Sequence, residues 1–183
     1  SARDSFWKSM FSSGLPVVQI PVDYPRPAEQ TFECHRQIYQ LPSSLVSRIN
    51  KSSDPYSLFL ASFLLLLYRH TREADIVTGL GFSGRNRKDL KDVIGPFSRQ
   101  LAIRVGFSDE LTFHSLLERV KEALSTSLDY QDCPLEKLLQ NLDPEDHSRS
   151  SFTPFFKVAF ALEQEENPSA EDFHDNSLQI EKF

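Results

Sequence analysis

Eleven consecutive residues, Leu58 to Tyr68 (LFLASFLLLLY), carry no charge. Asp54 and Pro55 stand just before them, an N-cap acid and a proline suited to the first helical position. The run predicts a helix ending near His70 that is apolar almost all round. Such a helix needs protein on most of its sides. Crossing a bilayer takes roughly 20 residues, so the run is too short for that and must lie inside a core. A chain of 183 residues with fifteen phenylalanines can build one core of this size, as a single domain.

Strands have to supply part of that core. ADIVTGLGF (74–82) reads as a buried strand, and QLAIRVGF (100–107) alternates through Leu101, Ile103, Val105 and Phe107, the pattern of a strand with one covered face. TFECHRQIY (31–39) and FFKVAFAL (155–162) are strand-like, and NSLQI (176–180) has room to begin another. Further helices are predicted over PSSLVSRIN, capped by Ser43 or Ser44, and after Thr112, where Phe113, Leu116, Leu117, Val120, Leu124 and Leu128 draw one stripe. Another follows Asp132 and Pro134. SSGLPVVQIPVDYPRPAEQ, with four prolines, reads as a connection. Helices and strands mixed in this way give an α/β or α+β chain around one sheet.

GLGFSG (79–84) follows a strand and spells G-x-G-x-x-G, the dinucleotide fingerprint. A working site also needs a helix that opens within the glycines and an acid roughly 20 residues on. Here RNRKDLKDVIGPF follows, with little apolar stripe, and Arg99 stands near the place of the acid. A nucleotide site is not expected. The glycines instead predict close passage of other backbone or of a long thin ligand.

Of the 26 acids and 20 bases, seven acids and one base fall between Glu163 and Phe183, which leaves the remainder balanced at nineteen of each. The acidic run predicts a solvated segment, and no basic face for nucleic acid is visible. Cys34 and Cys133 lack metal-site spacing and read as two reduced, buried thiols. The N-terminal stretch has no signal-like apolar region, so a cytoplasmic protein without membrane association is expected.

Several stretches, in order along the chain, resemble condensation domains of nonribosomal peptide synthetases. DIVTGLGFSGRNRKDLKDVIGPFSRQLAIRV is similar to the family's run from "DI…G…GR…" to "IGxFVNT". FWKSMFSSGLPVVQIPVDYPRP resembles its "YW…L…LP.D.PRP" connection, YQDCPLEKLL its "HQDxPFExL", and DHSRSSFTPFFKVAFALEQ its "RDxSRxPLFQVxFxLQ". The resemblance narrows the class to α/β, a mixed sheet covered by helices. It implies one lobe, the C-terminal one, of a fold similar to chloramphenicol acetyltransferase, in which two lobes enclose a tunnel. Residues 1–30 would be the lobe connection, and 163–177 a mobile, latch-like segment. The family's acid–base motif, HHxxxDG, has no counterpart among His35, His70, His114, His147 and His174. No catalytic residue is therefore expected in this chain, which should be inactive alone.

By the same resemblance, Ser83, Gly84, Ser98 and Arg99 would line the substrate tunnel, while Arg85 and Gly95 would brace its loop. Gln131, Asp132, Ser148 and Arg149 would be structural, with Asp132 as a helix cap. No cofactor or metal would bind directly; phosphopantetheine arms would be delivered by carrier proteins. The implied partners are the N-terminal lobe, peptidyl or acyl carriers, and adjacent adenylation or polyketide synthase modules. Phe97-Ser98-Arg99-Gln100 replaces "FVNT" and puts a cation near the expected meeting point of thioester and amine. That change leaves open a second expectation, a non-catalytic docking module of a megasynthase.

Overall fold

In the computed structural model, residues 2–14, 16, 18–24, 33–51, 54–85, 88–90, 93–131 and 156–162 are described. They form helices α1 (Ala2–Met10), α2 (Ser43–Ile49), α3 (Pro55–Thr71) and α4 (Phe113–Asp129), and strands β1 (Asp75–Phe82), β2 (Arg99–Gly106) and β3 (Ala159–Phe160). The sheet order is β2-β1-β3; β2 is antiparallel to β1 and β3 is parallel to it. This is a mixed sheet with helices against it, an α/β architecture.

Local signals set both long helices. Asp54 accepts a hydrogen bond from the Ser57 N–H at 3.0 Å, Pro55 takes the first helical position, and α3 closes on Arg72 in the left-handed conformation at φ 59°. Thr112 caps α4 by accepting from the Ser115 N–H at 3.2 Å. These bonds satisfy N–H groups that the helices leave without internal partners. Leu60, Leu64 and Leu67 of α3 join Leu116 and Val120 of α4 over Ile76, Leu80, Ile103 and Val105 of the sheet. The outer side of α3 does meet solvent, with Leu66 53% exposed.

The opposite face is covered as well. The β1–β2 register pairs Val77 with Arg104 and Gly79 with Ala102. Val77 and Ala102 pack with Trp7 of α1, with Phe11 just past its end, and with Phe156. Trp7 Nε1 donates to the Tyr130 carbonyl at 3.2 Å, and Phe6 stacks on the Tyr130 ring at 4.1 Å. Arg104 grips Asp75 through bonds of 2.6–3.1 Å, and reaches Ser13 Oγ at 2.9 Å and the Met10 carbonyl. The end of α1 is thus tied to the sheet. At its centre β2 is buried on both faces, where the alternation predicts one.

The hydrogen bonds place α4 at the outer margin of β2. Gly79 N–H donates to Val158 O on the β3 side, so Gly79 and Ala102 form a pair without mutual hydrogen bonds, and the Ala102 carbonyl faces outward. Ser127 Oγ donates to that carbonyl at 2.8 Å, and Arg119 Nη1 donates to the Gly106 carbonyl at 2.9 Å.

Four expectations are corrected. Residues 33–39 form no strand: all are exposed and no ladder pairs them among the described residues, and a strand-like sequence does not make a strand without a ladder. Neither Ser43 nor Ser44 caps α2, whose N-cap is Pro42 with no side-chain cap bond. The strand expected at 155–162 pairs only at Ala159–Phe160 among the described residues. Cys34 is a free, exposed thiol rather than a buried one, because it lies on the exposed 33–39 stretch. Cys133, the helix after Asp132, NSLQI and the 163–177 segment lie outside the described residues.

Candidate functional site: the loop between β1 and β2

β1 ends at Phe82, opposite Arg99 at the start of β2. The connection between them contains a short 3-10 turn, Lys88–Leu90, and returns antiparallel. Among the described residues no helix opens within the glycines, so the βαβ unit of a dinucleotide site is not formed.

Two of the three glycines are explained by packing. A Cβ on Gly79 would come to 2.4 Å from the Phe156 ring. At Gly84, φ is +66° and a Cβ would come to 1.8 Å from the Phe97 carbonyl oxygen. The left-handed conformation and the close backbone approach both call for glycine there.

Arg85 follows directly. Its guanidinium donates to the carbonyls of Leu90, Val93 (2.7 Å) and Gly95 (3.4 Å), and lies over the Phe97 ring at 4.5 Å. One planar, permanently charged group thereby collects three carbonyls and an aromatic face. Gly95 sits against the same ring, where a Cβ would be 3.3 Å from Cε2. Gly84, Arg85, Gly95 and Phe97 therefore form one knot.

Ser83 and Ser98 are exposed at the two ends of the loop; Ser83 Oγ accepts from the Arg85 N–H at 3.4 Å. Arg99 stands in register with Phe82, in line with Leu101 and Ile103; its side chain is outside the described set. Gln131 lies half-buried beyond α4, its N–H donating to the Leu128 carbonyl at 3.3 Å. Asp132, Ser148 and Arg149 are outside the described residues.

Sequence reasoning missed Tyr56. Its ring sits against Phe82 and, edge-on, against Phe160, and its buried hydroxyl has no hydrogen-bond partner. Burial pushes the phenol pKa up. The tyrosine stands two residues before the apolar run, and no motif marks it. Among the described residues, no cluster of three His, Cys, Asp or Glu is placed to hold a metal. No described helix is long and apolar enough to cross a membrane.

A mixed sheet flanked by helices, with a glycine-arginine knot at one strand end, makes this an α/β protein. The condensation-domain family model matches residues 1–183, and the chain belongs to that family. It is 34% identical over 165 residues to surfactin synthase subunit 1 of Bacillus subtilis (strain 168), covering 87% of this chain and 4% of that one. It is 33% identical over 192 residues to bacitracin synthase 2 of Bacillus licheniformis, covering 99% and 7%. The chain therefore spans only a small part of the relatives it matches.

Among solved structures it superposes on a four-domain nonribosomal peptide synthetase bound to AMP and glycine, with a TM-score of 0.80 and 25% identity. That match covers 90% of this chain and 13% of the other. The condensation domain of the monacolin K polyketide synthase MokA shares the fold at a TM-score of 0.71 and 24% identity, covering 86% and 40%.

Proposed function

We propose that the chain is the C-terminal lobe of a condensation domain that makes amide bonds in nonribosomal peptide, or hybrid polyketide–peptide, synthesis. The family match along all 183 residues carries this reading. In the complete domain, an amine on a downstream carrier attacks the carbonyl carbon of an acyl or peptidyl thioester on an upstream carrier. A C–N bond forms, the C–S bond breaks, and the upstream phosphopantetheine arm leaves as its thiol, the amine's proton balancing the sulfur.

Such a reaction gains chiefly from holding two tethered reactants together, with an imidazole moving the proton. This chain carries no paired histidines, so the N-terminal lobe furnishes that group. The present lobe contributes tunnel wall and carrier-docking surface, with Ser83, Gly84, Ser98 and Arg99 on the tunnel side. Arg85 and Gly95 hold the loop that presents them, and neighbouring adenylation or polyketide synthase modules charge the carriers. The protein acts in the cytoplasm.

The test loads the carriers flanking the full-length protein with an acyl group and an aminoacyl group, and follows the amide product by mass spectrometry. Product is expected from the full protein and none from this lobe alone. The change from "FVNT" to Phe97-Ser98-Arg99-Gln100 favours a second reading, a non-catalytic docking module. That module would bind carriers and yield no amide even with both lobes present.

A further inference from the structure

Gly81 is the glycine of the run for which the described packing gives no reason. Positive φ among the described residues belongs to Gly14, Gly84 and Arg72, so Gly81 needs no special backbone conformation. The register from Asp75–Gly106 to Phe82–Arg99 passes through it unbroken, which excludes a bulge. A Cβ built on it would meet nothing within 4 Å, whereas Gly79 and Gly84 have no such room. Glycine inside a strand weakens it, and the use that remains is close approach of another chain or a ligand.

Gly81 pairs in register with Gln100, and both are exposed. One pair further in, Gly79 and Ala102 are buried, with Phe156 over Gly79. Among the described residues, the uncovered part of this face thus begins at Gly81 and Gln100, with the Phe156 ring as its inner stop. Ser83 and Ser98, just beyond, are exposed and uncharged. A carboxamide offers one donating and one accepting end, the complement of a secondary amide. An uncharged floor of this kind suits a neutral occupant.

We propose that Gly81 and Gln100 are specificity-determining residues for a thin, extended, uncharged chain bearing secondary amides, of the pantetheine class. Gly81 leaves room for it against the strand, and the Gln100 carboxamide pairs with one of its amides. This inference rests on the condensation reading above and adds to it the residues that would recognise the arm.

The experiment uses the full-length protein with Gly81→Val and Gln100→Leu, measuring thermal midpoint, single-turnover condensation on carriers, and binding of an acyl-pantetheine probe. Valine is a good strand residue, so Gly81→Val should leave the midpoint unchanged or raise it. It should also cut condensation by at least about tenfold and weaken probe binding in parallel, because the methyls fill the path. Gln100→Leu should weaken the acyl-pantetheine probe about fivefold, the weight of one hydrogen bond, and leave an ethyl thioester of the same acyl group unaffected.

A midpoint lowered by several degrees in Gly81→Val would mean that protein, such as the other lobe, packs on Gly81, and overturns the proposal. Condensation within about threefold of wild type, or equal loss for the probe and the ethyl thioester, overturns it too. A wild-type protein that forms no amide argues against the condensation reading instead. Probe binding still decides the role of Gly81 and Gln100: weaker binding in the variants supports it, and unchanged binding overturns it.

Discussion

A Cβ placed on Gly84 would stand 1.8 Å from the carbonyl oxygen of Phe97, thirteen positions along the chain. The loop between β1 and β2 is drawn closed at that point, and Arg85 holds three of its carbonyls. Gly84→Ala meets two penalties. The left-handed conformation costs a residue with a Cβ about 1–2 kcal/mol, and the Phe97 backbone must also retreat. A total loss of about 3 kcal/mol or more is expected in urea unfolding. Gly14 is the control: φ is +90° but nothing lies within 4 Å of its Cβ, so Gly14→Ala should cost about 1 kcal/mol, the conformational part alone. Equal losses at the two positions would show that the Phe97 contact is not tight.

Gly79 and Phe156 make a complementary pair. Alanine at 79 would bring its Cβ to 2.4 Å from the ring, which is buried with Trp7, Phe11, Val77 and Ala102. Gly79→Ala should destabilise by about 2 kcal/mol as the ring is displaced. Phe156→Leu should cost a similar amount through lost packing, about 1–3 kcal/mol. In the double variant the smaller leucine makes room for the new methyl. The two losses should then fall short of additivity by about 1 kcal/mol, read from a double-mutant cycle in urea. Strict additivity would mean that the methyl and the ring never compete for the same space.

What the sequence made legible follows the range of the interaction. Asp54-Pro55 and Thr112 act within three residues of themselves, and both helix starts stand where those residues put them. β1 and β2 are visible as apolar runs because each buries its own side chains. The partner that each glycine accommodates is not visible, since Phe156 and Phe97 reach Gly79 and Gly84 only through the fold. The same holds for Arg85, whose carbonyl acceptors lie five to ten residues away. The proline-rich reading of the first thirty residues offered no helix. Trp7 and Phe11, one helical turn apart and both buried, were the signal that α1 exists. Residues 33–39 show the reverse failure: the strand-like composition is present but, among the described residues, no neighbouring edge pairs with it.

The outer margin of β2 yields a third prediction. Ser127 and Arg119 lie eight residues apart on α4, about 12 Å, and their acceptors Ala102 and Gly106 lie four apart on β2, about 13 Å. Helix and strand pitches therefore match, and α4 satisfies two outward carbonyls of an edge strand that would otherwise invite pairing with another chain. Ser127→Ala removes the donor without adding bulk, leaving the Ala102 carbonyl buried and unpaired. A loss of about 1–3 kcal/mol is expected. Arg119→Ala should cost less, about 0.5–1.5 kcal/mol, because that bond is exposed. Light scattering on warming should show earlier association for Ser127→Ala. A Ser127→Ala protein as stable as wild type would show that water satisfies that carbonyl.

Asp54 makes the stability of α3 depend on pH. The Ser57 side chain first, and then its backbone N–H, hold the Asp54 carboxyl below the usual carboxylate range, the N–H through a 3.0 Å hydrogen bond. The folded state therefore favours the ionised form more than the unfolded chain does. A carboxyl lowered in this way contributes stability that is complete above its unfolded pKa and disappears as pH falls through the folded pKa. Replacing the cap by alanine should cost about 1 kcal/mol at neutral pH. Asp54→Asn keeps an oxygen acceptor while removing the titration, so its cost should be smaller. In chemical unfolding followed from pH 7 downward, the gap between wild type and Asp54→Asn should hold steady through the neutral range. It should then close as the pH passes below the ordinary carboxylate range. A gap that stays constant into strong acid would mean that the charge on Asp54 contributes nothing, and that the cap works by geometry alone.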